Sequence, residues 1–140
     1  MLLRDVMTPN VEYISPDTKL SEAAGKMRDL DVGALPIGEN DKLVGMLTDR
    51  DITIRGVAEG KDPKEVSVRD AMTENVVYCY DDEDLSAASK TMREKQIRRV
   101  IVLNRDKRMV GICSLGDLVV DSGDETLGGK VLQDVSKPTK

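Results

Sequence analysis

The sequence contains no histidine, no tryptophan and no phenylalanine. Without histidine the chain lacks the commonest general base, the commonest zinc ligand and the usual side chain that titrates near neutral pH. Its three aromatic residues are all tyrosine, too few for the base-stacking platforms that bind single-stranded nucleic acid. These absences favour functions that need neither histidine chemistry nor aromatic stacking.

The chain also lacks a net positive charge and long apolar runs. The formal net charge is −5 and the pI is about 4.8, so non-specific attraction to nucleic-acid phosphates is weak. No apolar run approaches membrane-spanning length, and the N-terminus has no signal-peptide pattern. We therefore expect a soluble, cytoplasmic protein that binds neither nucleic acid nor a membrane.

What the sequence does contain is an internal repeat. Residues 4–11 return as 69–76, and residues 44–51 return as 110–117. Each unit alone would bury too little surface for stability, so we expect the two to fold as one body. The predicted division is repeat one at 1–60, a linker at 61–67, repeat two at 68–120, and a C-terminal tail at 121–140 that could form a short helix.

The two cysteines are interpreted through this repeat. Cys79 and Cys113 take the places of Ile14 and Leu47 in repeat one. Free cysteine behaves as a small buried hydrophobe, so core packing is favoured over disulfide or redox chemistry.

In each repeat the sequence predicts a short opening helix, followed by a strand, a first main helix, two strands and a second main helix. In repeat one the strands are 11–14, 34–37 and 43–47. The first helix carries an apolar face at 3.6-residue spacing, made of Leu20, Ala23, Ala24, Met27 and Leu30. The second helix runs from 49 to about 59. In repeat two the acidic run 81–84 indicates a helix start, an interpretation favoured over a metal site.

One local pattern stands at the end of the last strand in both repeats. A glycine is followed by two apolar residues, a hydroxyl residue, two variable residues and an aspartate. The free backbone N–H groups at a strand–helix junction favour an anion, and an aspartate can accept hydrogen bonds from both ribose hydroxyls. The same spacing is that of a helix capping box, and the two roles can coexist. The residues are Gly45, Thr48 and Asp51 in repeat one, and Gly111, Ser114 and Asp117 in repeat two. The two glycines would let a ligand lie close to the backbone.

The duplicated pattern resembles a tandem pair of cystathionine-β-synthase (CBS) domains, the arrangement called a Bateman module. The resemblance covers residues 3 to about 120. It rests on residues 5–8 and 70–73, on 20–24 with Met27, on 32–37, and on the two glycine-to-aspartate motifs. With nothing left over for a catalytic domain, the chain looks like the small stand-alone bacterial CBS-pair proteins.

The resemblance implies a mixed α+β fold, with two β-α-β-β-α repeats packed sheet to sheet about a pseudo-two-fold axis. Family members bind adenosine ligands in the clefts between units: AMP, ADP, ATP, S-adenosylmethionine or NAD. On the matching positions, Asp51 and Asp117 would hold ribose hydroxyls, and Thr48 and Ser114 would contact ribose or phosphate. The remaining implied ligand residues are Val11, Val76, Ala34, Leu35 and Pro36 around adenine, and Arg98 and Arg99 at phosphate.

The two repeats depart from each other at these positions, so we expect unequal sites. Arg98 and Arg99 replace Gly33 and Ala34 and add positive charge in repeat two. An exposed ion pair with acidic neighbours is the alternative role for Arg98. Other changes in repeat two are Ile101 in place of Pro36, and Leu115 and Gly116 in place of Asp49 and Arg50.

The favoured function is a non-catalytic regulatory module that senses an adenine nucleotide. It requires no cofactor, since the nucleotide acts as the regulatory ligand, and a protein partner would respond to the bound state. A homodimer is expected, with the final helix of each repeat in the interface. One alternative is a scaffold with another adenosyl ligand or with empty clefts. The other is an aspartate-only metal hydrolase, disfavoured because repeat two has no counterpart of Asp49.

Overall fold

A computed structural model describes residues 1–120; the tail, with its expected short helix, lies outside the described residues. Helices and strands are interspersed along the chain. The strands are β1 (Thr8–Pro9), β2 (Ala34–Glu39), β3 (Lys42–Thr48), β4 (Tyr78–Tyr80), β5 (Arg99–Leu103) and β6 (Met109–Ser114). The helices are α1 (Leu3–Val6), α2 (Leu20–Leu30), α3 (Asp49–Asp51), α4 (Leu85–Lys95) and α5 (Leu115–Val120); a π-helical segment, Ile52–Val57, continues α3, and Val68–Asp70 is a 3-10 turn.

The chain divides into two compact units. The middle unit is Glu12–Val76, and the outer unit combines Met1–Val11 with the chain from Val77 onward. Each unit therefore holds the body of one repeat and the opening segment of the other. We call Met1–Val11 and residues 66–76 the opening segments.

The middle unit is built on the antiparallel hairpin of β2 and β3, with Leu35 opposite Leu47. The strand predicted at 11–14 is wrong in extent, because only Ile14 pairs, forming a bridge with Ile37. Helix α2 has the predicted position, but Leu30 is 42% exposed, since the core contacts only part of the predicted face. The buried core is Ile14, Leu20, Ala23, Met27, Leu35, Ile37, Leu47, Val68, Ala71 and Met72.

The outer unit contains a four-stranded sheet in the order β1, β6, β5, β4. Strands β4 and β5 are parallel, and β5 and β6 are antiparallel. Cys79 and Cys113 are 3% and 0% exposed, which confirms their predicted place in the core. Burial raises the pKa of the Cys79 thiol, which keeps it protonated near neutral pH. The buried core is Leu3, Val6, Cys79, Leu85, Ala88, Met92, Val100, Val102, Cys113 and Leu118.

Backbone hydrogen bonds fix both opening segments in equivalent ways. In the outer unit the N–H of Leu3 donates to the carbonyl of Glu83 at 2.9 Å, at the turn before α4. In the middle unit the N–H of Val68 donates to the carbonyl of Thr18 at 2.7 Å, at the turn before α2. The acidic run 81–84 thus leads into α4 as predicted, and its backbone holds the chain's first residues.

The two motif glycines make room for these opening segments. A Cβ on Gly45 would lie 2.8 Å from the Met72 sulfur and 3.0 Å from the Thr73 carbonyl oxygen. A Cβ on Gly111 would lie 2.9 Å from the carbonyl oxygen of Thr8. The space beside each glycine is therefore filled by protein, which corrects the expectation that it serves the approach of a ligand.

Within residues 1–120, no helix combines the length and the apolar character needed to cross a bilayer. The cytoplasmic location stays a prediction from the sequence.

Candidate functional site

The middle-unit site lies where β3 ends and α3 begins. Thr48 is the N-cap of α3, and its Oγ1 accepts a hydrogen bond from the N–H of Asp51 at 3.0 Å. In return, Oδ2 of Asp51 accepts from the N–H of Thr48 at 3.0 Å. Both side chains are half-buried. The capping-box interpretation of this motif is confirmed.

The outer unit repeats the arrangement at the junction of β6 and α5. Oδ2 of Asp117 accepts from the N–H of Ser114 at 2.9 Å, and Oγ of Ser114 accepts from the N–H of Asp117 at 3.1 Å. Two positions that share a motif in the sequence therefore share a geometry in the fold.

Both capping side chains can still form further hydrogen bonds. A carboxylate offers about four acceptor positions, and the N–H of Thr48 uses one of them on Asp51. The Thr48 hydroxyl accepts one N–H and keeps its own hydrogen to donate. The reciprocal bonds also hold both side chains in fixed rotamers. A pre-oriented acceptor and donor can therefore engage a polyhydroxy ligand without dismantling the helix start.

The residues around Thr48 divide between two faces of the β2–β3 hairpin. Ala34 lies opposite Thr48, and Pro36 lies opposite Met46. Leu35, between them, is 2% exposed and packs in the core on the other face of the strand. Pro36 is also buried. Val76 closes this unit and is half-buried.

The structure brings the two predicted arginines beside the outer-unit motif. Arg99 lies opposite Ser114 in the β5–β6 register, and the carbonyl of Arg98 accepts from the N–H of Leu115 at 2.9 Å. Both side chains are exposed, and neither forms an ion pair with a carboxylate of the described residues. Val11 belongs to the same unit. The alternative of an acidic partner for Arg98 therefore finds no support in the described part of the chain.

Arg55 is a residue that sequence reasoning missed. Its guanidinium donates to the carbonyls of Met72 and Ala71, at 3.1 and 3.4 Å. It stands one helical turn after Asp51 and holds the opening segment that leads to Val76. A cation in the last turn of a helix was the available signal, but that signal does not identify these partner carbonyls.

A second polar cluster lies at the other end of β5, after β4. Arg105 forms an ion pair with Asp82 at 2.8 Å, which holds the pKa of that carboxyl below its usual value. The same guanidinium lies 4.1 Å from the centre of the Tyr80 ring, a cation–π contact. These two contacts of Arg105 hold the turn after β4 in place. Asp82 of the acidic run therefore has a structural role as the partner of Arg105.

Comparison with known proteins gives a family match over most of the chain. The family model described as the CBS domain matches residues 3–55 and again residues 68–122. A CBS domain-containing protein of Bacillus subtilis, YhcV, is 37% identical over 134 residues, covering 96% of this chain and 94% of YhcV. Hypoxic response protein 1 of Mycobacterium tuberculosis is 39% identical over 116 residues, covering 82% of this chain and 80% of that protein.

Solved structures share the fold. Hypoxic Response Protein I, crystallised with two coordinated zinc ions, gives a TM-score of 0.76 at 38% identity, covering 85% of this chain and 97% of that one. CBSX2 in complex with AMP gives 0.75 at 26% identity, covering 89% and 98%. The CBS pair of MJ0100, with 5′-methylthioadenosine and S-adenosylmethionine, gives 0.73 at 27% identity, covering 93% and 98%. In residues 1–120 of the present chain, no three Cys, Asp or Glu side chains converge as metal ligands.

Proposed function

The chain belongs to the CBS domain family as a tandem pair, and on that premise we propose that it is a non-catalytic regulatory module that binds an adenine nucleotide. One observation carries the proposal. The same hydroxyl–carboxylate pair caps the strand–helix junction in both units, as Thr48 with Asp51 and as Ser114 with Asp117. Each pair keeps an acceptor and a donor available for a ribose.

In the proposed binding mode, the ribose hydroxyls donate to Asp51 in the middle unit and to Asp117 in the outer unit. The hydroxyls of Thr48 and Ser114 donate to ribose or phosphate oxygens. Adenine lies against small and apolar groups: Ala34, Pro36 and the backbone near Val76 in the middle unit, and the backbone near Val11 in the outer unit. Leu35 supports this surface from the core side.

The ligands of related structures support the chemical class. CBSX2 was crystallised with AMP, and the MJ0100 pair with two sulfur-containing adenosyl compounds. All three ligands present an adenosine with vicinal hydroxyls. AMP, ADP or ATP is the proposed ligand here, and S-adenosylmethionine and NAD are the alternatives within the class.

Regulation would follow from differential binding. A ligand that binds one conformation of the module more tightly shifts the population toward it, and a protein partner reads the shift. Arg55 offers a physical link, because the π-helical segment that follows Asp51 also holds the opening segment through the Met72 carbonyl. No cofactor is required for this role.

A thermal-shift panel tests the function directly. Purified protein is heated with AMP, ADP, ATP, S-adenosylmethionine or NAD, with GMP as the base control and ribose 5-phosphate as the control without a base. Adenosine compounds should raise the unfolding temperature, since a ligand of the folded state stabilises it by mass action. Chromatography of the same samples should show unchanged nucleotide, and steady turnover would support the metal-hydrolase alternative instead.

The arginines of the outer unit give a second expected result. If Arg98 and Arg99 hold phosphate, then Arg99→Ala should weaken AMP binding by about 1.5–3 kcal/mol and leave adenosine binding unchanged. The wild-type affinity for AMP should also fall with added salt, because exposed charges are screened. Calorimetry at two salt concentrations measures both effects. Arg108→Ala, an exposed arginine on the β5–β6 hairpin, is the matched control. Equal AMP affinity in Arg99→Ala and wild type would remove Arg99 from the site.

Assembly as a homodimer remains a proposal. Val57 and Ile54, on the segment that continues α3, are 64% and 44% exposed, a costly exposure for apolar side chains. The final helix of repeat two is the other predicted part of this interface, and its side chains Val119 and Val120 lie outside what the structure describes. Light scattering at micromolar concentration should return a dimer mass for wild type and a monomer mass for Val57→Glu, with Val57→Ala as the control. A monomeric wild type, with and without AMP, would overturn the proposal.

A further inference from the structure

The two strand–helix junctions differ in charge at two matching positions. In the outer unit Arg98 stands before β5, and the first residue of α5 is Leu115. In the middle unit the same two places hold Gly33 and Asp49. The backbone contact is the same in both units: the N–H of Asp49 donates to the carbonyl of Gly33 at 2.9 Å, as Leu115 does to Arg98 at 2.9 Å. On the same backbone frame, the outer unit therefore carries a cation at the first position, and the middle unit carries an anion at the second.

The Asp49 carboxylate is held in place on that frame. Its Oδ2 lies 3.1 Å from the point where a Cβ on Gly33 would stand, so the carboxylate covers the glycine. Its Oδ1 accepts a hydrogen bond from the N–H of Arg50 at 2.8 Å. The side chain is exposed, and no lysine or arginine of the described residues forms an ion pair with it. A full negative charge therefore stands next to Thr48, the residue proposed to meet the ligand.

We propose that Asp49 makes the middle-unit site selective for adenosyl ligands whose 5′ substituent carries no negative charge, such as a thioether or a sulfonium. A phosphate at this place would meet a like charge, and two like charges about 4 Å apart cost roughly 1 kcal/mol even in water. The outer unit, with Arg98 and Arg99, binds the phosphorylated ligand more tightly than the middle unit does. This inference rests on the proposed function and adds the ligand class of each site.

Arg50 is the group that could reverse this selectivity. It follows Asp49 on the same turn, it is exposed, and its counterpart in the outer unit is Gly116. Its backbone N–H is bonded to Asp49, whereas its guanidinium makes no hydrogen bond or ion pair with the described residues. The Arg50→Gly variant therefore serves as the control, because it removes this cation and installs the outer-unit residue.

Site-resolved NMR titration tests the inference in the intact chain. The amides of Thr48 and Asp51 report the middle unit, and the amides of Ser114 and Asp117 report the outer unit. AMP and 5′-methylthioadenosine are the probes, added separately to wild type, Asp49→Asn and Arg50→Gly. In wild type we expect the middle-unit amides to respond to 5′-methylthioadenosine at a concentration at least about fivefold lower than to AMP, from the charge repulsion alone. Asp49→Asn should remove most of that difference, and Arg50→Gly should preserve it.

The outcomes separate this inference from the function on which it rests. If neither probe moves either set of amides, the proposed function fails. If both probes bind but the middle unit prefers AMP, or shows no preference that Asp49→Asn changes, only the charge selectivity is overturned. If the middle unit prefers AMP in wild type and loses that preference in Arg50→Gly, then Arg50 binds the phosphate and the proposed selectivity is wrong. Thermal melts of both variants verify folding, and the asparagine side chain keeps the acceptor for the N–H of Arg50.

Discussion

Asp51→Ala is expected to weaken AMP binding at the middle unit by about 1.5–3 kcal/mol, the range for hydrogen bonds to a charged group. The substitution removes the proposed acceptor for the ribose hydroxyls. It also removes the hydrogen bond that Oδ2 of Asp51 accepts from the N–H of Thr48 at the start of α3. NMR titration of the middle-unit amides gives the affinity of that unit, and adenine without a ribose should bind equally poorly to wild type and variant.

Loss of the helix start must be separated from loss of the ligand contact. Thr48→Val removes the acceptor for the N–H of Asp51 while Asp51 itself remains, so its melting temperature gives the cost of losing one side of the cap. Removal of such a cap commonly costs about 0.5–2 kcal/mol of stability. Unchanged affinity for AMP in a folded Asp51→Ala protein would contradict the ribose assignment.

Gly45→Ala is expected to destabilise the protein by about 1–3 kcal/mol, the usual cost of overpacking. The added Cβ would lie 2.8 Å from the Met72 sulfur, which can move, and 3.0 Å from the Thr73 carbonyl oxygen, which is less able to move. That carbonyl accepts from the N–H of Met46 at 2.9 Å, so its retreat would break the bridge that holds the opening segment. Urea unfolding measures the difference in the free energy of unfolding.

Gly25→Ala is the matched control, since it makes the same change inside α2 of the same unit. Its Cβ would meet only the Arg28 guanidinium, at an ordinary 3.6 Å. Alanine is favoured over glycine within a helix by about 1 kcal/mol, so this variant should be as stable as wild type or more so. If Gly45→Ala matched Gly25→Ala in stability, the close docking of the opening segment would be refuted.

Local patterns were enough to predict much of each unit. Helix α2 lies where the apolar spacing places it, because its core face is defined within one segment. Cys79 and Cys113 are buried because they substitute for apolar residues in the repeat. The mutual bonds of Ser114 and Asp117 follow from their spacing alone, as the capping box requires.

The long-range pairings could not be predicted from these local patterns. The opening segments bind through backbone groups, as in the bridge between Met46 and Thr73, and backbone groups leave no side-chain signature. Pairing of β1 with β6 joins residues about a hundred positions apart, and Val11 has no strand partner although its apolar run predicts one. The face to which Leu35 turns likewise depends on the register of the β2–β3 hairpin.

The most direct test of ribose recognition is calorimetric titration of the wild-type protein with AMP, 2′-deoxy-AMP and adenine. The account predicts that AMP binds, that 2′-deoxy-AMP binds more weakly by about 1.5–3 kcal/mol through loss of one bond to a carboxylate, and that adenine binds most weakly. Equal affinity for AMP and 2′-deoxy-AMP, or no binding of AMP at all, would contradict the account.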